Sequence, residues 1–363
     1  MTSSSAIVTS AAALEALAAE LGAAPAIALD TEFMRERTYR AELCLVQVAT
    51  ARTACCVDPL ALDSLEPLAA PLASPATLKV LHAARQDLEV LAPVAGRFAA
   101  IFDTQVAAAL AGFAAQIGYG ELVSRLLGVT LAKAHTRTDW AKRPLSAEQV
   151  DYALDDVRYL LPLRDTLLER LDQLGRLDWL TEELEPLSHS AGNGVDPDKA
   201  WQRLKGLQGL DPGRLALAAA LAAWRERRAI DRNRPRGWIL DDIALREIIL
   251  RVPRSKPELA AIPEMQEGVV RNSGDDLLAM VDAAGIPQPA PPLPRRERPD
   301  PALALLVKKL AGVNQEVAAA LGLSPEVLAT RRDLEQLARG AMPDSLARGW
   351  RRDVIGAPLR AAL

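Results

Sequence analysis

A mixed α/β domain followed by two small all-α bundles is the architecture that the sequence predicts. Three observations lead there. Short β-rich apolar runs crowd the first hundred residues and then alternate with helical patterns. No strand pattern recurs after about residue 190. Two breaks rich in Pro, Gly and small polar residues, 188–199 and 285–301, divide the chain near 190 and 290. The expected parts are 1–190, 200–284 and 300–363.

Taken in order, the first part opens with a helix that Thr9 or Ser10 can cap, with Gly22 expected just past its end. The runs 26–33, 41–49, 53–59, 78–83 and 99–103 then read as strands, each short and closed by Pro, Arg or Asp. A helix is expected from near Ala83, and a long helical segment over 146–174 starts at the S-x-x-Q capping box of Ser146 and Gln149. In the second part, 214–228 and 242–251 carry apolar residues at helical spacing with Arg on the other face, as in small bundles. The second break, with its many prolines, is a stiff spacer.

Composition excludes several classes. Half the 363 residues are hydrophobic and a quarter charged, so wholesale disorder is out. No apolar run reaches the ~18 residues of a membrane span, and the early apolar stretch carries Glu15 and Glu20, unlike a secretory signal. Cys44, Cys55 and Cys56 lack metal-ligand spacing and read as buried thiols of a cytoplasmic protein. The net charge of −4 argues, taken alone, against a nucleic-acid partner. It is, however, the sum of −9 over residues 1–190 and +5 over 191–363.

The carboxylates of the first part carry chemistry. Asp30 and Glu32 alternate along a strand, so both face one side and Thr31 the other. Burying bare acids is expensive, so the pair is either a solvated strand end or a cation site. Asp87 lies just beyond a strand on a helix, where Glu89 is the competing solvated acid. On the later helix the apolar stripe is Val150, Ala153, Leu154, Val157, Leu160 and Leu161. Asp155 lies about 160° from its centre and Asp156 about 100°, which puts Asp155 in solvent and Asp156 at the border with Tyr152 one turn earlier. Four carboxylates and a tyrosine are hard oxygen donors suited to Mg²⁺ or Mn²⁺, and two such ions can clamp an in-line phosphoryl displacement.

These residues carry a resemblance. DTE at Asp30 and Glu32, Asp87 within LHAARQDLEVL, and Y-x-x-x-D at Tyr152 and Asp156 resemble the three motifs of the DEDD exonucleases, in their tyrosine-bearing subclass, and within it the ribonuclease D family. RTYRAELCLVQVA, FDTQVAAAL and RTDWAKRPLS are also family-like. Residues 200–280 resemble the HRDC domain shared with RecQ-type helicases, and 300–363 resemble a more degenerate second copy. The resemblance implies an RNase H-like mixed sheet flanked by helices, then two HRDC-type bundles. It implies 3′→5′ hydrolysis of RNA to 5′-mononucleotides in tRNA 3′-end maturation. Asp30, Glu32, Asp87 and Asp156 would hold two divalent ions, and Tyr152 would orient the attacking water.

Substrate contacts are expected at Phe33 and Met34 against terminal bases and at Gln47 or His82 on the sugar, with core packing as the competing reading for each. His135 and His189 read as loop residues, and Arg35, Arg37 and Arg137 as phosphate contacts or solvated charges. Aromatics make up only 4% of the chain, too few for a long stacking track. Affinity is therefore expected from Trp224–Trp238, where six arginines stand against two acids, with Arg232, Arg234 and Arg236 as the proposed RNA contacts. The remaining alternatives are a DNA exonuclease of the same chemistry and a non-catalytic HRDC protein. A monomer with RNA as its partner and no membrane association is the expected state.

Overall fold

The computed structural model describes residues 7–132, 138–190, 196–207, 209–287 and 300–363, without the side chains of 189 and 190. His135, Arg137, the His189 side chain and the central residues of both expected linkers lie outside the described residues. The chain forms two compact units: residues 1–34, 43–192 and 299–363 make one, and 35–42 with 193–298 the other.

The first unit is built on a six-stranded sheet. Its strands are β1 (Ile7–Val8), β2 (Ala26–Met34), β3 (Glu42–Ala49), β4 (Ala54–Val57), β5 (Leu78–Leu81) and β6 (Ile101–Asp103), in the order β1-β4-β3-β2-β5-β6. β1 runs parallel to β4, β3 antiparallel to β4, and β2, β5 and β6 parallel to one another in sequence. The sheet is mixed, as expected. Strand β1 is too short to leave a sequence pattern.

Alternation along β2 sorts the two cores. Ile27 and Leu29 pack with the helices Ala11–Ala23 and Arg85–Ala95 on one face. Ala28 packs on the other face, with the helices Thr104–Leu110, Tyr119–Leu127 and Leu160–Gln173. Asp30 and Glu32 continue the Ala28 face as the strand leaves the core. The capping box forms as read: Ser146 N–H donates to Gln149 Oε1 at 2.7 Å and Gln149 N–H to Ser146 Oγ at 3.2 Å. The expected single segment is two helices, Ala147–Arg158 and Leu160–Gln173, because the backbone breaks at Tyr159. Gly22 lies inside the first helix rather than past it, since that helix runs to Ala23, just short of Pro25.

Residues 300–363 are helical but are not a separate body. Leu310, Ala318, Leu328, Leu337, Ile355 and Leu359 share one core with Ala107, Leu163 and Leu167 of the sheet-bearing part. Trp350 stacks on Trp179 at 4.4 Å with planes 10° apart, and its indole N–H donates to Glu183 at 2.9 Å. Arg176 donates to the Leu321 carbonyl at 2.5 Å. The expected third bundle is corrected accordingly: its apolar faces are completed by the first part. Truncation before Asp300 is therefore expected to lower the melting temperature by more than 10 °C or leave the remainder aggregated, read by calorimetry and light scattering.

The second unit is a helical bundle of Pro212–Asp231, Arg236–Ile239, Asp242–Arg251, Lys256–Ala260 and Glu267–Ala283. Its core is Leu217, Leu221, Leu245, Ile248, Leu259, Leu277 and Val281. Asp211 caps its long helix, accepting from Arg214 N–H at 2.9 Å, and its other oxygen pairs with the buried Arg214 guanidinium at 2.7 Å. Residues 35–42 belong to this unit. There Tyr39 donates its hydroxyl to Glu226, and the Arg40 N–H bonds Asn233 Oδ1 at 3.1 Å.

Candidate active site

Each carboxylate is delivered by a different local device. Asp30 and Glu32 stand on the partly buried C-terminal half of β2. Asp87 sits in the first turn of Arg85–Ala95, where the amide end of the helix favours an anion. That helix start is fixed by Asp103, whose carboxylate accepts from the N–H groups of Ala83 and Ala84 at 3.0 and 2.9 Å and also caps its own helix through Gln105 at 2.8 Å. Ala83 is held at φ 57°, a left-handed conformation that needs such support. Thr31, on the opposite face from Asp30, donates to Asp87 Oδ1 at 2.6 Å, so β2 contributes to the site from both faces. Asp156 comes from the border of the helix Ala147–Arg158, while Asp155 points outward and pairs with Arg158 at 2.7 Å.

These side chains form one electrostatic cluster. Burial, then the charges of Asp87, Asp156 and Glu32, hold Asp30 well above the usual carboxylate range. Burial and the charges of Asp156 and Asp87 push Glu32 up to about 8. Asp156 is raised by burial, Asp155 and Asp87, and Asp87 by burial, offset in part by the Thr31 hydroxyl. Tyr152 is raised by burial and then by Asp156, Glu32 and Asp30, so its phenol stays protonated at neutral pH. Its ring stacks on Trp140 with centroids 6.1 Å apart, which fixes its direction. Among the described residues no three or more His, Cys, Asp or Glu side chains are already drawn together so that they could hold a metal ion as they stand. The four carboxylates are instead mutually repelling neighbours, and such a hard-oxygen set fits divalent cations.

Other expected contacts fall differently. Both ring nitrogens of His82 are engaged, by Thr104 Oγ1 at 2.9 Å and the Ile117 carbonyl at 3.0 Å, and burial lowers its pKa; it packs inside the domain rather than reaching a sugar. Gln47 is 0% exposed, so the expected sugar contact is corrected as well. Met34 packs with Trp140, Leu145 and Tyr152, and Phe33 is half-buried beside it on β2. Arg35 and Arg37 are exposed.

In the second unit Arg236 is not a free RNA contact. Its guanidinium pairs with the buried Glu226 at 2.5 and 2.7 Å and lies 5.1 Å over the Tyr39 ring. Arg225 and Arg228 are likewise taken by Asp242 and Asp276, and Arg227 by Asp198. Arg232 is exposed, and Arg234 lies 5.6 Å over Trp238, itself 52% exposed. Sequence reasoning missed Tyr119, whose hydroxyl donates to the Asp155 carbonyl at 2.8 Å and whose pKa is raised by burial, with Asp156 and Asp30 adding to it. It also passed over Thr31 and left Asp103 without a role. Only Asp103 had a local signal, an N-cap acid between a strand and a helix.

A mixed sheet with four acids and a tyrosine at one strand end, joined to a helical bundle, defines a 3′–5′ exonuclease with an accessory domain. A 3′–5′ exonuclease family model matches residues 5–172, and an HRDC domain model matches residues 214–281. Ribonuclease D of Granulibacter bethesdensis is 42% identical, covering 96% of this chain and 90% of that protein. Ribonuclease D of Pseudomonas paraeruginosa is 39% identical over 93% of this chain and 92% of that protein. The crystal structure of Escherichia coli RNase D, described as an exoribonuclease involved in structured RNA processing, matches with TM-score 0.86 at 32% identity, covering 98% of each chain. The catalytic core of RRP6 from Trypanosoma brucei matches with TM-score 0.60 at 28% identity, over 77% of this chain and 79% of that one. The chain belongs to the ribonuclease D family and is a 3′–5′ exoribonuclease. Its fold implies dependence on divalent metal.

Proposed function

We propose that the protein trims the 3′ ends of tRNA precursors, one nucleotide at a time, acting as a monomer in the cytoplasm. The observation that carries the catalytic part is the cluster of Asp30, Glu32, Asp87 and Asp156, whose charges act on one another beside Tyr152. In this reading residues 1–190 are catalytic, 200–284 bind RNA, and 300–363 complete the nuclease core. The four carboxylates would hold two divalent cations, Mg²⁺ or Mn²⁺. When bound, these would supply charge stabilisation at the scissile phosphate and a lowered pKa for the attacking water.

The chain's own groups do the rest. The protonated Tyr152 hydroxyl, clamped by Trp140, orients the water through hydrogen bonding rather than acting as a base. Thr31 holds Asp87 and Asp103 holds the turn before it, so the donors are set before substrate arrives. Phe33, next to Glu32 near the end of β2, would meet the terminal base. The RNA body is held by Arg232 and Arg234, with Trp238 as a stacking face.

The test is digestion of a tRNA carrying a 3′ extension, with a matched DNA strand alongside. Wild type with Mg²⁺ is expected to give a ladder shortened one nucleotide at a time from the RNA. EDTA or Asp30→Ala should abolish the ladder. Product persisting in either control sinks the metal-site assignment, and equal rates on the DNA sink the RNA assignment.

The binding surface has its own prediction. Arg232→Ala with Arg234→Ala is expected to weaken RNA binding and to reduce the slope of log K against log salt by about two. Arg236→Ala should instead lower the melting temperature, because it strands the buried Glu226. An unchanged slope in the double variant removes this surface from RNA binding.

A further inference from the structure

Gln47 is a buried polar side chain whose amide finds no partner. It lies in the middle of β3, is 0% exposed, and both its Nε2 and Oε1 are buried without a hydrogen bond. Groups of this kind are rare in folded proteins because burial strips them of water without replacing it. An apolar residue would serve packing better at such a position.

Its surroundings indicate what it is for. Along β3, Leu45 packs with Trp140, Val150, Ala153 and Leu154, while Ala49 packs with Ala28, Val157 and Leu160. Gln47 lies between these on the same face, so its carboxamide is wedged between the sheet and the helix that carries Tyr152 and Asp156. Across the sheet it is in register with Cys56. The Cys56 thiol feels the charge of Asp156, which contributes to raising its pKa after burial and Cys55. On the other side, β2 presents Asp30 two residues beyond Ala28 on this face. The unpartnered amide thus lies on the sheet face that carries Asp30 and under the helix that carries Asp156.

We propose that Gln47 is a positioning residue for the metal-binding carboxylates, its Nε2 donating to Asp156 when a divalent cation occupies the site. It touches neither substrate nor the reacting atoms. A hydrogen bond of this kind orients a ligating oxygen, and losing one from a metal site typically weakens metal binding about 10- to 100-fold. The inference rests on the metal-site reading above.

The test replaces Gln47 with Met and, separately, with Leu, which keep most of the volume and remove both polar atoms. Mn²⁺ binding is followed by isothermal titration and by the Mn²⁺-induced rise in melting temperature of the full chain. Wild type is expected to bind and to be stabilised. Both variants should keep or exceed the metal-free melting temperature of wild type, since they lose an unsatisfied amide. Their Mn²⁺ dissociation constant should rise about tenfold or more, an effect that a purely structural residue would not produce in a protein of undiminished stability. A dissociation constant equal to wild type in both variants overturns the role of Gln47 while leaving the metal site intact. Variants that lose metal-free stability also overturn it, because they show the amide already bonded without metal. If wild type itself neither binds Mn²⁺ nor gains stability, the metal-site reading fails first.

Discussion

Asp30→Asn is expected to abolish hydrolysis of RNA and, in metal-free buffer, to raise the melting temperature. The two effects have one origin. Four acids share a buried strand end, and burial with the charges of Asp87, Asp156 and Glu32 holds Asp30 well above the ordinary carboxylate range. Removing one charge relieves that repulsion, and a few degrees of stabilisation is the expected size. Removing a ligand withdraws a metal contribution of several kcal/mol, or about 10³-fold or more in rate.

The sign with pH follows from the direction of the shifts. A carboxyl raised in the fold destabilises the protein wherever it is ionised in both states. That penalty is complete above the folded pKa and fades as pH falls toward the unfolded one. With Asp30 itself held well above the ordinary carboxylate range by burial and by the charges of Asp87, Asp156 and Glu32, the stabilisation by Asp30→Asn should grow from pH 5 to pH 8, as Asp30 in the folded wild type is forced to ionise. Calorimetry in EDTA at both pH values checks it. Equal or lower melting temperatures at pH 8 would mean that the cluster is not under charge repulsion.

Tyr152→Phe should lower kcat by about 10²-fold or more, with RNA affinity and melting temperature within error of wild type. The ring stays because Trp140 stacks on it and the surrounding cluster of Leu145, Val150 and Leu154 is unchanged. Only the hydroxyl is lost, and with it the group that orients water. Because the phenol is pushed further from ionisation by burial and by Asp156, Glu32 and Asp30, the wild-type rate should show no tyrosine titration between pH 6 and 9. Single-turnover digestion across that range reads both statements. Full turnover by the Phe variant would remove Tyr152 from the chemistry.

The candidate site was legible because its parts are local patterns. Alternation put Asp30 and Glu32 on one face, and helical angles separated Asp156 from Asp155, which the structure shows paired with Arg158 at the surface. The Ser146 cap was readable for the same reason, being a contact between neighbours in sequence. The misreadings concern residues whose partners lie far along the chain. Arg236 belonged to a basic run, yet it pairs with Glu226 beneath Tyr39, and Tyr39 is almost two hundred residues away. His82 is fixed by the Ile117 carbonyl, and Gln47 is sealed beneath a helix that begins a hundred residues later. Thr31 reaches Asp87 across 56 positions.

By itself, then, the sequence determined the mixed sheet, the helical bundle after it, the acids and the tyrosine, because periodicity and capping act within a few residues. Tertiary structure alone decided which arginines stay exposed and that Gln47 lies buried without a partner. It also decided that residues 300–363 complete the nuclease core instead of forming their own. Those outcomes turn on burial and on pairing between distant segments, and an amphipathic helix shows that it has an apolar face without showing which surface will cover it.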